Sequence, residues 1–201
     1  MALVSHAPRA AIGAHTPVLV TAKLARGLPS LRRGAARELT WRALDAAKAK
    51  FGVRVVHFSL QSNHLHLIVE ARDERALGMA MKGLCVRIAR ALNRLLKRRG
   101  RVFADRYHAR PLRTPREVRY ALGYTLNNAR KHGVRVEGLD PCSSALAFDG
   151  WRERGARALA ARADAAHPPV TAPRSWLLRS GWRRHGLIGT AEVPRSAPSR
   201  A

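Results

Sequence analysis

The chain has 201 residues, of which 46% are hydrophobic, so it is long enough for one domain with a buried core and a tail. Its 38 Lys and Arg against 13 Asp and Glu give a net charge of +25, an excess that a polyanion such as nucleic acid would offset, although a compositional preference for arginine also contributes. Its two cysteines form no Cys-x-x-Cys pair and no apolar run reaches the ~18 residues of a membrane span, so we exclude a zinc knuckle and a membrane protein and expect a cytoplasmic one.

The first part of the chain predicts a strand, a helix and a pair of strands. Strict alternation of apolar and polar residues is typical of a strand, whereas apolar residues spaced by three or four positions predict a helix. In chain order we expect a leader over 1–15, a strand over 17–24, a helix over about 35–50, and strands over about 53–60 and 64–71.

The second part predicts two helices separated by a short strand. A long helix is expected over about 74–98, with an apolar stripe on one face and basic side chains on the other. A short extended segment follows at about 107–112. The sequence Thr114-Pro115-Arg116-Glu117 then supplies an N-cap, a helix-starting proline and the glutamate of a capping box, so a further helix is expected over about 115–131.

The order of these elements, β-α-β-β-α-β-α, is the split βαβ pattern. It predicts an α+β, ferredoxin-like domain over residues 16–133, with one antiparallel sheet and helices on one face. Residues 134–201 form a basic C-terminal extension, helical and irregular, that we expect to be partly disordered, over 189–201. Its segment 176–185 mixes tryptophan, leucine and arginine; packing on the core is the preferred interpretation, and stacking on nucleic acid is the alternative.

Two histidines separated by one apolar residue stand in the motif Asn63-His64-Leu65-His66. Successive side chains of a strand point to opposite faces, so His64 and His66 share one face while Leu65 lies on the other. Their imidazoles would then be close enough to bind one metal ion, and in so basic a chain that metal would act on phosphate. The simpler alternative is that both are polar side chains on a solvent-facing sheet surface.

Tyr120, Tyr124 and Asn128 follow one another at intervals of four on the helix after Pro115. At about 100° per residue they lie one above another, away from the apolar stripe. A tyrosine hydroxyl is a weak nucleophile, but a divalent cation can polarise a phosphate and stabilise the charge that develops during attack. If this face meets the histidines, the two halves form one site in which Asn128 supplies an oxygen ligand or orients the phosphate. Tyr120 is an alternative nucleophile, and Tyr124 as a half-buried packing residue is the non-catalytic alternative.

The motif Asn63-His64-Leu65-His66 resembles the His-hydrophobe-His motif of HUH endonucleases. Together with Tyr124-x-x-x-Asn128 it resembles the single-tyrosine HUH transposases, which include the transposases of the smallest insertion sequences and the REP-associated tyrosine transposases. The asparagine resembles the REP-associated branch. The resemblance spans about residues 16–133 and includes the stretch Phe103-x-x-Arg106-Tyr107.

This resemblance implies a transposase-like DNA endonuclease and strand transferase. Tyr124 would attack a backbone phosphate of single-stranded or hairpin DNA, leaving a 5′-phosphotyrosine and a free 3′-OH, and reversal onto another end would transfer the strand. His64 and His66 would bind Mg²⁺ or Mn²⁺ with Asn128 as a third ligand, and two imidazoles favour Mn²⁺. The candidate contacts to DNA phosphates are Lys82, Arg87, Arg90, Arg106, Arg110 and Arg113.

Two other functions remain open from the sequence. A non-catalytic nucleic-acid-binding protein on the same fold, such as a domesticated relative that binds hairpin DNA or structured RNA, would need neither the histidines nor the tyrosine. A metal-dependent nuclease that activates water would form no covalent intermediate, and it is disfavoured because Glu70 is the only acid on its strand. The sequence permits a homodimer, and it leaves open whether Tyr124 would act in its own subunit or in a partner's.

Overall fold

The structure of the protein, a computed structural model, describes residues 12–162 and 168–193. Its strands are β1 (Thr16–Lys23), β2 (Val53–Leu60), β3 (His64–Ala71) and β4 (His108–Pro111). They form one antiparallel sheet with the order β2-β3-β1-β4. The helices within the described residues are α1 (Gly34–Asp45), α2 (Glu74–Leu95), α3 (Pro115–Leu126), α4 (Asn128–Lys131), α5 (Arg154–Arg162) and α6 (Trp176–Arg179), with short 3₁₀ helices over Ser144–Ala147 and Gly181–His185.

Strand β1 lies inside the sheet and has a partner on each side. Its Thr21 is opposite His66 of β3 and opposite His108 of β4. Directly opposed residues of antiparallel strands share a face, so these three side chains form a row across one face of the sheet. The element order and the antiparallel sheet confirm the predicted α+β, ferredoxin-like fold, and the predicted bounds of β2 and β3 are those observed.

Helices α1 and α2 cover the first face of the sheet. Strand residues at alternate positions, among them Val20 and Leu67, are fully buried in one core with the apolar stripe of α2. Helix α2 begins at a capped end, where the Asp73 carboxylate accepts a hydrogen bond from the Ala76 N–H at 2.7 Å. The cap satisfies one of the free amides of the first turn, so the helix is held both by its start and by its buried stripe.

Helix α3 covers the second face, which corrects the prediction that the helices lie on one face. Val56 and Ile68 point to this side of the sheet and are buried in a second core with Val118 and Leu122 of α3. The strands carry apolar residues on both faces, and each apolar face needs its own cover to be removed from water. The second layer is what puts a helix against the face that carries the histidines.

The C-terminal extension completes this second layer. Trp151 and Trp182 are fully buried, and the Trp182 indole N–H donates to the Leu178 carbonyl at 3.1 Å. The segment 176–185 therefore packs on the core, which confirms the preferred interpretation, although Trp176 within it stays half exposed.

Segments of the extension also cover the free edge of β2. The Leu60 N–H donates to the Cys142 carbonyl at 2.8 Å, and the Thr171 N–H donates to the Val55 carbonyl at 2.7 Å. Covering an edge in this way prevents it from pairing with another chain. The disorder predicted for 189–201 is not found for 189–193, where Glu192 forms an ion pair with Arg119. Residues 194–201 lie outside the described residues. Among the helices described here, none combines the length and the apolar character needed to cross a membrane.

Candidate active site

His64 and His66 lie side by side on β3, with their ring centroids 4.6 Å apart. The Thr21 hydroxyl is hydrogen-bonded to Nδ1 of His66 at 2.9 Å, and the Asn63 side-chain oxygen accepts from Nδ1–H of His64 at 2.8 Å. Both rings are oriented through Nδ1, which leaves each Nε2 available to a ligand. Nε2 of His66 is buried and has no hydrogen-bond partner in the described part of the chain.

Both imidazoles are neutral at neutral pH. Burial lowers the pKa of His66 to about 3 and the pKa of His64 to about 4. Neighbouring basic groups act in the same direction: His64, His132 and Lys131 on His66, and His132 and Lys23 on His64. Neutral imidazole is the form that binds a metal, so both rings are in the protonation state that a metal ligand requires.

Helix α3 brings Tyr124 to this pair. The helix start is the predicted capping box: the Thr114 hydroxyl accepts from the Glu117 N–H at 3.2 Å, and the Glu117 carboxylate accepts from the Thr114 N–H at 3.0 Å. With the helix fixed at its start and buried along its apolar face, the half-buried Tyr124 ring packs edge-on against His66, at 4.9 Å between centroids.

Tyr120, the alternative nucleophile, lies one turn earlier on α3 and points outward. Its side chain is 43% exposed, and the Arg116 guanidinium lies 5.7 Å from its ring centroid. Of these two tyrosines, Tyr124 is therefore the one that the fold places on the histidines.

Asn128 is completely buried, yet neither amide atom of its side chain has a hydrogen-bond partner among the described residues. Leaving a buried polar group unpaired costs about 1–3 kcal/mol, and a ligand that paired with this amide would remove that cost. The predicted continuous helix through this residue is interrupted, since α3 ends at Leu126 and α4 begins at Asn128. Between them, the Asn127 amide donates to the carbonyls of Gly189 and Glu192 at 2.9 and 3.0 Å.

Two residues of the site were not predicted. The His132 ring lies 5.3 Å from that of His64, and the Lys131 ammonium lies 4.9 Å from the Tyr124 ring centroid. Helical spacing contained a signal for them, because positions seven and eight residues after Tyr124 return to nearly the same face after two turns.

These residues fit a divalent cation. Two neutral imidazoles and an amide oxygen, completed by water or phosphate oxygens, form a donor set that Mn²⁺ or Mg²⁺ accepts. In the ranges 12–162 and 168–193, no cluster of three or more His, Cys, Asp and Glu is placed to bind a metal. Among the described residues, Asn128 is the candidate for a third protein ligand, because both polar atoms of its side-chain amide are unpaired.

Glu70, the acid on the same strand, has a structural partner instead. Its carboxylate is buried and accepts hydrogen bonds from the backbone N–H groups of Arg174 and Ser175, both at 2.7 Å. A carboxylate that anchors the C-terminal extension in this way is not available to activate water. This arrangement weighs against the water-dependent nuclease.

The predicted DNA contacts fall into two groups. Lys82, Arg87 and Arg90 are exposed on α2, on the side of the sheet opposite to Tyr124. Arg110 of β4 is opposite Leu19 of β1, on the histidine face. The other two lie just outside β4, Arg106 before it and Arg113 after it. The structure adds Lys23, opposite His64, and His108, opposite Thr21, to the histidine face.

The fold has a counterpart among solved structures, whereas no known protein-family profile and no curated protein matches the chain. The chain has a REP-associated tyrosine transposase-like fold. The structure of a REP-associated tyrosine transposase bound to a REP hairpin is similar over 85% of this chain and 93% of that chain, at 16% identity and a TM-score of 0.58. A transposase candidate from Deinococcus radiodurans R1 is similar over 56% of this chain and 87% of that chain, at 12% identity and a TM-score of 0.42.

Proposed function

We propose that this protein is a metal-dependent transposase-like enzyme that nicks single-stranded or hairpin DNA through a tyrosine nucleophile and transfers the cut strand. The observation that carries this proposal is the packing of the Tyr124 ring on His66, whose buried Nε2 lacks a partner. A nucleic-acid-binding protein without activity needs neither this contact nor an unpaired imidazole nitrogen.

In the proposed step the Tyr124 oxygen attacks a backbone phosphorus, and the bond from phosphorus to the 3′ oxygen breaks. The phenolic proton leaves to solvent and the departing 3′ oxygen takes up a proton, so the products are a 5′-phosphotyrosine and a free 3′-OH. Attack of another strand's 3′-OH on the phosphotyrosine reverses these bond changes and joins that strand.

We assign the neighbouring residues to binding the metal ion and to orienting its ligands. His64 and His66 are the proposed ligands of Mg²⁺ or Mn²⁺, and Asn128 is the proposed third. When bound, the cation stabilises the negative charge that develops on the phosphate oxygens. Thr21 fixes the ring of His66, which keeps its ligand nitrogen in place.

The substrate class follows from charge and from the structural neighbour. A net charge of +25 favours polyanion binding, and Lys23 and Arg110 extend the basic surface across the histidine face. The neighbour of the same fold is bound to a REP hairpin. Hairpin DNA with a single-stranded flank is therefore the substrate that we propose to try first.

The test is a covalent trapping assay. The protein is incubated with labelled hairpin DNA from the flanks of its own gene, with Mn²⁺ or with EDTA, and run on a denaturing gel. We expect a metal-dependent covalent band from the wild type and from Tyr120→Phe, and none from Tyr124→Phe. Binding of the same DNA by Tyr124→Phe is measured in parallel and should be retained.

The second candidate function is a non-catalytic protein that binds hairpin DNA or structured RNA on the same fold. Absence of the band across varied hairpins, with binding intact, would favour this candidate. A band that persists in Tyr124→Phe would overturn the assignment of the nucleophile.

A further inference from the structure

A basic cleft of about 490 Å³ opens between the start of α1, the turn before β3 and the segment after α4. Its walls include Arg33 and Arg37 of α1, Ser62 of the turn before β3, and Val134 of the segment after α4. Clefts of this size hold small ligands or part of a larger one, and the charged groups among the described lining residues are all guanidinium groups.

The cleft is positively charged because Arg32, Arg33 and Arg37 line it, while none of its described lining residues is acidic. Arg32 donates to both oxygens of Asp140 at 3.0 and 2.9 Å and also to the Leu60 carbonyl at 2.9 Å, so it is a structural member of the wall. The guanidinium of Arg37 makes one hydrogen bond, to the Pro141 carbonyl at 3.1 Å. Arg33 is exposed, and its side chain has no partner within the described residues. Two guanidinium groups thus retain donors for an anion.

The cleft is joined to the candidate active site by two short pieces of chain. Ser62 precedes His64 by two residues, and Val134 follows His132 by two residues, while the His64 and His132 rings are in contact. Two residues span at most about 7 Å, so the cleft begins close to His64 and His132. A DNA strand with one phosphate at Tyr124 would have the cleft as a neighbouring site for its next nucleotides.

We infer that this cleft binds the backbone phosphates of the single-stranded DNA next to the scissile phosphate, through Arg33 and Arg37. This inference rests on the proposed function, because it assigns the strand to a path that starts at Tyr124. Guanidinium groups bind phosphate oxygens in a planar, two-point geometry, and such contacts set the register of a strand without reading its sequence. The cleft therefore determines which phosphate is presented to the tyrosine.

Binding is tested in the Tyr124→Phe background, where cleavage cannot interfere. The probes are a labelled DNA hairpin with a single-stranded thymidine tail and the same hairpin without the tail. The Arg33→Ala/Arg37→Ala variant is compared with Arg75→Ala/Arg94→Ala, which removes the same charge from exposed positions of α2 that do not line the cleft. Thermal unfolding verifies that both variants fold.

We expect Arg33→Ala/Arg37→Ala to lower the affinity for the tailed hairpin about tenfold more than the control does, and to leave the affinity for the untailed hairpin at the level of the control. Loss of two phosphate contacts should also reduce the slope of log affinity against log salt by about 1.4, at about 0.7 per contact to single strands. Equal affinity and slope for the two variants, on the tailed probe, would overturn the inference.

The result is separable from that of the trapping assay. If Arg33→Ala/Arg37→Ala weakens binding of the tailed hairpin but no covalent band forms, the DNA-binding role of the cleft is supported and the proposed chemistry is rejected. If a covalent band forms at Tyr124 but the Arg33→Ala/Arg37→Ala variant binds the tailed hairpin as well as the control does, the proposed chemistry is supported and the DNA-binding role of the cleft is rejected. An equal loss of affinity for a hairpin with an RNA tail would support the inference and show that the cleft binds single strands of either nucleic acid.

Discussion

The ammonium group of Lys131 lies 4.9 Å from the centroid of the Tyr124 ring, so a fixed positive charge faces the proposed nucleophile. A cation over an aromatic face is attracted by the ring quadrupole, which positions the two side chains relative to each other. Negative charge that develops on the phenol oxygen or on an attacked phosphate would be stabilised by the same ammonium group.

We predict that Lys131→Met slows covalent adduct formation at least about tenfold while leaving hairpin affinity within about threefold of the wild type, since one of many charges is lost. Lys131→Arg should recover part of the rate because it keeps the charge. The measurement is the single-turnover rate of adduct formation with Mn²⁺. A rate for Lys131→Met equal to that of the wild type would show that Lys131 does not contribute to adduct formation.

Asn128 provides a test that separates a ligand from a structural residue. In EDTA, Asn128→Ala should change the free energy of unfolding by less than about 1 kcal/mol, because the amide that is lost makes no hydrogen bond. In saturating Mn²⁺ the wild type should be stabilised, and the variant should lose about 1.4 kcal/mol of that gain for each tenfold loss of affinity.

Thr125→Val is the matched control for this experiment, since the Thr125 hydroxyl is also buried and unpaired and the replacement has nearly the same shape. Its stabilisation by Mn²⁺ should equal that of the wild type. An Asn128→Ala protein that gains as much from Mn²⁺ as the control would show that Asn128 is not a ligand.

His57 should make stability depend on pH. Burial lowers the pKa of His57 to about 4, with Asp149 opposing the change, and its Nδ1 is hydrogen-bonded to the Ser144 hydroxyl at 3.1 Å. The unfolded chain binds this proton near pH 6.5 and the folded chain near pH 4, so the folded state is favoured above pH 6.5 and loses stability as pH falls toward 4.

The loss from this group should be on the order of 3 kcal/mol at most. Urea unfolding in EDTA at pH 7.5, 6 and 5 would measure it, with His57→Asn as the comparison because His64 and His66 act in the same direction. We expect the wild type to lose more stability than the variant as pH falls. An equal pH dependence of the free energy of unfolding in the wild type and in His57→Asn would contradict the assignment of this loss to His57.

The capping box of α3 should contribute measurably to stability. Thr114→Ala removes the hydroxyl that accepts from the Glu117 N–H, and loss of an N-cap of this kind costs about 1 kcal/mol. Thr114→Ser should restore most of it, because serine caps a helix at least as well. Denaturant unfolding at neutral pH measures both, and an alanine variant as stable as the serine variant would contradict the prediction.

Local patterns predicted most of the elements that position the site. Hydrophobic runs on either side of a turn near 61–63 predicted β2 and β3 at their observed bounds, and the sequence from Thr114 to Glu117 predicted the start of α3. Periodicity did not predict the break at Asn127, because the groups that bind its amide, the carbonyls of Gly189 and Glu192, are more than sixty residues away in the sequence. A long-range contact of this kind leaves no local signal.

What the sequence determined alone is the pair of histidines on one face of a strand and the tyrosine helix, since side-chain direction follows from the local period of the backbone. Only the tertiary structure decided that the two meet. That contact depends on α3 covering the second face of the sheet, where Val56 and Ile68 require an apolar partner. Packing of distant surfaces brought His132 to His64, whereas Lys131 lies two turns beyond Tyr124 in the same stretch of chain.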